Sequence, residues 1–342
     1  MITILAAILV FSIVIFVHEF GHFIAAKKSG VKVNEFSIGM GPALFKKQGE
    51  ETLYAVRILP IGGYCAMEGE DDESDDIRSF DNVSAAKRFV IIIAGALMNF
   101  LFALLICILI QTFTITTVNI ASVAENSPAS RSGFMLGDVI TEVENTKITN
   151  TSQIQTMILE SGGRELNYKI IRNGNEDTII AAAEPAEGTE GSQLYQIGIQ
   201  MQGVQNASLS NFSLIRGIAG GFSQFGAMMI MMGQILEMLF TGRLGVSNLA
   251  GPVGVVSEIG RQANTGLISL LFFVSYINVN LGVLNLLPFP ALDGGRAVLI
   301  LIEMVTGKKL PKNKEALING IGLLLLLGLI LFVSINDVRR IF

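Results

Sequence analysis

A run of apolar residues from Ile2 to Ala26 limits what this chain can become more than any other feature. In lipid, a stretch of that length satisfies its own backbone as a helix and is long enough to cross. Its only ionisable side chains are His18, Glu19 and His22, and the chain contains no other histidine. The order His-Glu-x-x-His puts the two imidazoles four residues apart, on one helix face. Two neutral imidazoles so placed can hold Zn2+, and the carboxylate between them can take a proton from a water that the metal polarises. Ionisable groups at membrane depth are costly and mark function by default. The plainer alternative is two histidines satisfied by backbone inside an ordinary helix. The pattern predicts a zinc-dependent hydrolytic site within a bilayer.

Composition agrees with a membrane setting. Of 342 residues, 51% are hydrophobic and only 15% charged, which excludes an ordinary soluble enzyme and predicts several spans with a soluble part. A net charge of −5 gives no basis for nucleic-acid binding. Cys65 and Cys107 fall in different regions without metal-ligand spacing, so neither a disulfide framework nor a thiolate zinc site is expected. The first apolar run is not read as a secretory signal. It lacks a basic start, its apolar part is too long, and cleavage would discard the histidines.

Read in order, residues 1–28 are the first span. Lys27 and Lys28 place its end in the cytoplasm and the N-terminus outside. Residues 29–88 form a cytoplasmic region with an acidic patch from Glu68 to Asp76. Within them Thr52 to Met67 is strand-like, with a break at Gly62-Gly63. Such a hairpin either packs beside the site or offers an edge to an unwound substrate. Residues 89–113 are the second span, punctuated by Gly95 and Asn99 as closely packed spans are. In residues 114–205 charges return. A strand at Thr116–Val123 leads to Ser127-Pro128-Ala129, which opens a short helix, and to Gly133-x-x-x-Gly137-Asp138-x-Ile140. A helix near Ser152–Glu160 and strands at Leu166–Arg172 and Thr178–Ala183 complete the region. This order resembles an inserted PDZ domain of the kind found in bacterial proteases, with Met135-Leu136 and Asn145-Thr146 departing from the usual pattern.

Residues 206–264 contain an apolar, Met-rich stretch, Gly217 to Phe240, expected to lie in the outer interface. If it crossed, the next span would carry Asp293 to the outer face, away from His18 and His22. Residues 265–288 are the third span, and residues 289–315 hold Leu292-Asp293-Gly294 and a basic, hence cytoplasmic, loop. Pro288 and Pro290 stop the helix, and Gly294-Gly295 permit a tight backbone at Asp293. Residues 316–336 are the fourth span, leaving the C-terminus outside. A catalytic zinc wants three protein ligands and an open position. With no third histidine, Asp293 is the natural candidate; a capping Asp in an ordinary turn is the alternative.

His18-Glu19-x-x-His22, the PDZ-like insert and Asn285-x-x-Pro288 followed by Leu292-Asp293-Gly294 together resemble the site-2 protease family, over nearly the whole chain. The likeness is to bacterial proteases that regulate sigma factors, in the form with one PDZ domain. The fold expected is a polytopic α-helical membrane protein of four spans, with an extracytoplasmic α+β PDZ domain and a cytoplasmic β-hairpin region. The resemblance implies Zn2+ held by His18, His22 and Asp293, with Glu19 as general base and acid. It further implies that Asn285 positions substrate, and that a hairpin including Tyr54, Val56, Ile58, Gly62 and Gly63 engages it. Gly251-Pro252-Val253-Gly254 also resembles a family segment, with no chemical role to argue.

The partners implied are single-span membrane proteins already trimmed outside, such as anti-sigma factors or signal-peptide remnants. The PDZ either takes a peptide or protein C-terminus or only gates. An outer PDZ fits exclusion of untrimmed ectodomains by size. The location implied is the bacterial cytoplasmic membrane, multi-pass, with both termini outside. A helix in lipid has every carbonyl hydrogen-bonded, so a substrate must unwind before cleavage. The rival readings are a metal-binding transporter and a proteolytically silent adaptor. The first lacks the expected internal repeat, and the intact Glu19 weighs against the second.

Overall fold

Residues 2–70, 74–185, 195–245 and 250–341 are described by a computed structural model of the chain. Asp71, Asp72 and Glu73 of the acidic patch, residues 186–194 of the PDZ-like stretch, and residues 246–249 lie outside the described residues. The chain divides into two compact units, Met1–Ile110 with Arg216–Phe342, and Gln111–Ile215.

The first unit opens with α1 (Ile2–Ser29), β1 (Val33–Gln48), β2 (Leu53–Met67) and α2 (Ala85–Phe113). The second unit contains β3 (Thr114–Val123), α3 (Pro128–Ser132), β4 (Val139–Val143), β5 (Thr146–Lys147), α4 (Thr151–Ser161), β6 (Glu165–Arg172), β7 (Asn175–Ala182), the two-residue β8 (Glu184–Pro185) and β9 (Tyr195–Gln196), and β10 (Ile199–Ala207). The first unit then resumes with α5 (Leu214–Phe240), α6 (Pro252–Thr265), α7 (Leu267–Leu286), α8 (Asp293–Thr306) and α9 (Lys312–Ile341). Among the described residues, α1, α2, α5, α7 and α9 are long and apolar enough to cross a membrane.

The helices of the first unit approach closely where side chains are smallest. A Cβ at Gly21 of α1 would lie 2.3 Å from the Ala94 carbonyl of α2, and one at Gly282 of α7 would lie 2.5 Å from the Phe100 ring. Only glycine fits such contacts: at Gly21 two helix backbones meet, and at Gly282 the Phe100 ring lies flush on α7. Helix α5 packs on α2 and α7 through Gly221, Phe225 and Met228. Helix α6 joins two distant parts of the chain. The buried carboxylate of Asp337, near the end of α9, accepts from the backbone N–H groups of Gly251 and Gly254 at 3.1 and 2.8 Å. An anion there suits the first turn of a helix, whose N–H groups are otherwise unpaired. Further along α6, Gly260 meets Thr3 at the start of α1.

The 52–67 stretch is not a hairpin of its own, as its double glycine suggests. Residues Leu53–Met67 are one strand, paired antiparallel with β1. Positive φ at Gly39, Gly41 and Gly62 kinks the two strands, where L side chains would be strained. The kinks let Glu35–Ile38 face Ala66–Gly63 on one edge and Leu53–Val56 on the other, while Phe45–Gln48 pair with Val56–Leu53. The result is a small folded sheet whose terminal segment, Gly63 to Met67, runs beside α1. Ion pairs gather where α1 ends and α2 begins: Lys27–Glu51, Arg78–Glu51, Arg296–Glu70, Lys312–Asp81, and a bidentate Arg88–Glu303 pair at 2.6 and 3.0 Å.

In the second unit the sheet order is β10-β3-β4-β6-β7, with β5 paired to β4. Strand β6 alternates strictly, burying Leu166, Tyr168 and Ile170 in a core shared with Val118, Ile140, Ile154 and Ile179. Ser127 caps α3, and Asn150 with Gln153 forms a capping box on α4. Asn145 follows Glu144 in a two-residue turn between β4 and β5, both at positive φ, as a type I′ turn requires.

Candidate active site and metal centre

His18 and His22 project from the same face of α1, and both are buried. Asp293 is the first residue of α8, placed by the turn that Pro288 and Pro290 force after α7. Gly294 and Gly295 hold that turn tight. A Cβ at Gly294 would lie 2.2 Å from the Leu287 carbonyl oxygen, and one at Gly295 would lie 2.4 Å from that of Phe289. The glycines therefore serve close approach, and neither is slack.

Three atoms converge. His18 Nε2 and His22 Nε2 are 3.3 Å apart, and Asp293 Oδ2 lies 3.1 Å from the first and 3.4 Å from the second. A tetrahedral ion with ligands at 2.0–2.1 Å requires edges of about 3.3–3.4 Å between them. Asp293 Oδ2 is buried without a hydrogen-bond partner, the condition of an anion whose counter-charge is a metal. The donor set of two imidazoles and one carboxylate suits zinc. Among the described residues, these three are the group of histidine and acidic side chains that could hold a metal.

Helix α2 supports the pair. Its Gly95 faces the rings; a Cβ there would lie 2.3 Å from His22 Nε2 and 2.7 Å from His18 Cε1. One turn towards the N-terminus of α2, the Ile91 carbonyl accepts from His22 Nδ1 at 2.8 Å. One turn the other way, the Asn99 carboxamide lies 3.2 Å from His18 Nδ1. Asn285 of α7 brings its amide to 3.4 Å from His18 Nε2 and 3.5 Å from Nδ1.

Glu19 lies on the cavity side of α1. Its carboxylate lies by the backbone of Cys65, and Gly63 lets β2 pass close to β1, since a Cβ there would lie 2.8 Å from the Ser37 carbonyl oxygen. The cavity, about 340 Å3, is walled by His18, Glu19, His22 and Asp293, by Tyr64–Met67 of β2, and by Glu70, Ile92 and Arg296. Burial pushes the Cys65 thiol up from its usual range, which keeps it a neutral wall group.

The structure thus brings together His18, Glu19, His22, Asp293 and Asn285. Gly62 and Gly63 lie at the start of the β2 segment that runs beside Glu19. Tyr54 packs on Phe23 and Phe36 away from the cavity wall, while Val56 and Ile58 are exposed on the sheet. Sequence reasoning named neither Ile91 nor Tyr64–Met67 individually, nor Glu70 and Arg296 as cavity residues. Arg296 carried a signal, since it stands three residues after Asp293 and so shares its helix face. Asn99 carried another, as a polar residue in an uncharged span.

Comparison with known proteins places these residues among relatives. A family model described as peptidase family M50 matches residues 6–329. A protein of Clostridium acetobutylicum assigned to the zinc metalloproteases is 38% identical over 98% of this chain and 97% of its own length. Zinc metalloprotease RasP of Oceanobacillus iheyensis is 28% identical, with both chains covered in full. Among solved structures, the PDZ domain of an SdrC-like protein from Listeria monocytogenes matches 25% of this chain and 85% of its own at 18% identity, with a TM-score of 0.22.

Proposed function

We propose, because the chain belongs to peptidase family M50, that His18, His22 and Asp293 hold the zinc of a protease acting within the membrane. The chain is a zinc metalloprotease of that family, and a membrane protein with a β-sheet unit. The observation that carries the ligand assignment is the triangle of Nε2, Nε2 and Oδ2 atoms, with edges of 3.1–3.4 Å.

Bound Zn2+ supplies Lewis-acid polarisation of a scissile carbonyl and of water at neutral pH. Glu19, next to His18 and open to the cavity, takes the proton from the attacking water and returns it to the leaving amine. Asn285, an amide donor 3.4 Å from His18 Nε2, steadies the substrate carbonyl as it gains charge. The segment from Tyr64 to Met67 forms the cavity wall beside Glu19, and pairing there would hold an unwound substrate extended. Substrate helices that unwind easily are favoured, because every carbonyl in a lipid-embedded helix is already bonded. The substrates proposed are single-span membrane proteins already trimmed outside.

Four spans, α1, α2, α7 and α9, with both termini outside are the topology proposed. Helix α6 supports it. Gly251 and Gly260, which touch Asp337 and Thr3, are nine residues apart, about 14 Å along a helix. That short reach favours the start of α1 and the end of α9 on one side of a hydrocarbon core about 30 Å thick. An even number of crossings fits that contact, and α5 in the interface is the reading proposed. The charged rim of Lys27, Arg88 and Arg296 then belongs to the cytoplasmic side, as the positive-inside rule asks. Residues 114–205 are proposed as an extracytoplasmic PDZ domain, a reading supported by the order of six strands with α3 and α4 between them.

The test is cleavage of a trimmed single-span substrate by the purified chain in detergent or vesicles, with and without a zinc chelator. Cleavage that stops with chelator and returns with zinc supports the reading. Cleavage indifferent to chelator overturns it.

A further inference from the structure

Three residues of α2, Ile91, Gly95 and Asn99, recur every four positions and so share one face. That face lies against His22 and His18. The middle residue is bare, and a Cβ on it would strike both rings. The two flanking residues each bring a polar group to one ring: the Ile91 carbonyl to His22 Nδ1 at 2.8 Å, and the Asn99 side chain to His18 Nδ1 at 3.2 Å. Because α1 and α2 run in opposite directions, the earlier histidine meets the later residue of α2, His18 with Asn99 and His22 with Ile91.

A neutral imidazole has one N–H and one bare nitrogen. In both rings Nε2 belongs to the triangle with Asp293, so the proton resides on Nδ1. His22 donates it to the Ile91 carbonyl. His18 needs an acceptor too, and the side chain facing its Nδ1, Asn99, has no exposed surface. The Asn99 carboxamide is oriented with Nδ2 towards Nδ1, which sets two donors face to face and leaves Oδ1 buried with no partner. The two ends of a carboxamide are distinguished only by their hydrogen bonds. Turning Asn99 over presents its oxygen to the His18 proton and removes that conflict. Asn285 is farther away and straddles both ring nitrogens at 3.4 and 3.5 Å, which leaves it available to substrate.

We propose that Asn99 is a positioning residue: its side-chain oxygen accepts the Nδ1 proton of His18 and so holds Nε2 towards the metal, as the Ile91 carbonyl does for His22. The inference rests on the assignment of His18, His22 and Asp293 as zinc ligands. Groups that orient ligating histidines in this way typically change metal affinity 10–100-fold when removed.

The experiment measures zinc affinity of the purified full chain by competition with a chelator of known strength, together with the thermal midpoint of the zinc-free protein. Asn99→Asp keeps the size and the acceptor; Asn99→Leu keeps the size and removes the acceptor. The expected result is a loss of about 10–100-fold in affinity for Asn99→Leu, affinity within a few-fold of the parent for Asn99→Asp, and zinc-free midpoints that do not account for the difference. Equal affinity in all three proteins overturns the role of Asn99, as does an equal loss in both variants that follows a lowered midpoint. His22→Ala in the same assay separates the two levels of the account. Zinc retained there removes the ligand assignment itself, whereas zinc lost there but held normally by Asn99→Leu removes only the inference. If Asn99→Leu does not fold, the parent decides. The chain holds only two histidines, so 15N-histidine spectra of the zinc-loaded protein resolve both rings. Protons on both Nδ1 atoms, with the His18 signal moved in Asn99→Asp, are expected. A proton on His18 Nε2 is the contrary result.

Discussion

Gly95 stands against His22 so closely that a Cβ on it would lie 2.3 Å from the imidazole Nε2. The glycine therefore determines where the ring can sit, and through it the spacing of the whole triangle. Gly95→Ala is expected to displace both rings and to lower zinc content and cleavage together, to below about a tenth of the parent, since overpacking of this kind strains a site by about 1–3 kcal/mol. Gly226→Ala, where a Cβ on α5 meets nothing within 4 Å, is the control and leaves both unchanged. Metal analysis of the two purified variants checks the contrast. Normal zinc in Gly95→Ala would show that the rings have room the structure does not give them.

Glu19→Gln is expected to keep zinc while slowing cleavage by about 10²–10⁴-fold or more, the usual contribution of a general base. The amide preserves the size of the side chain and removes only its capacity to take a proton. Zinc content and single-turnover cleavage on one preparation test this. Near-parental turnover takes Glu19 out of the chemistry.

Much of the site was legible because its chemistry is concentrated in a few residue types. Two histidines in one pentapeptide, and an aspartate beside two glycines, stand out against apolar surroundings whatever the fold. The elements of the sheet unit were legible for a related reason, since Ser127, Asn150 and the alternation of Leu166, Tyr168 and Ile170 are local signals. What escaped depends on long-range pairing. Strand β1 gave no warning that it would pair with β2 along two edges, because kinks at Gly39, Gly41 and Gly62 are invisible until the partner is known. Ile91 acts through its carbonyl, which no side-chain pattern reports. Asp337 looks like any polar residue near a span end until α6 is found resting its first turn on it.

The proposed topology leans on that same α6 contact and is open to labelling. Single cysteines at the exposed positions Asp75 and Asn313 are expected to be shielded from an impermeant thiol reagent in intact cells, and one at Asn173 to react. Labelling at 313 but not 75 would mean an additional crossing by α5.

The second unit carries a pH dependence of its own. Burial would raise the Asp138 carboxyl, but the Arg172 guanidinium and the Met135 N–H more than offset this, so it titrates below its ordinary range. A depressed carboxyl contributes stability that is complete above the unfolded value, about 3.9, and lost as pH falls through the folded one. Hydrogen exchange of β4 and β6 in the full chain is therefore expected to be steady in its underlying stability from pH 7 to about 5 and to weaken below about 4. Asp138→Asn should cost about 3 kcal/mol at neutral pH, near the low end for breaking a buried pair because Arg172 is 25% exposed. Unchanged protection in that variant would show the pair to be dispensable.

The zinc content of Asp293→Asn tests the central assignment most directly. The substitution keeps the size of the side chain and removes the negative charge that completes the triangle with His18 and His22. Two imidazoles alone make a weak and loosely shaped site. The parent is expected to carry one zinc per chain through purification, and Asp293→Asn to carry a small fraction of that, with cleavage falling in step. A full complement of zinc in Asp293→Asn would show that some other group completes the site, and would contradict the assignment.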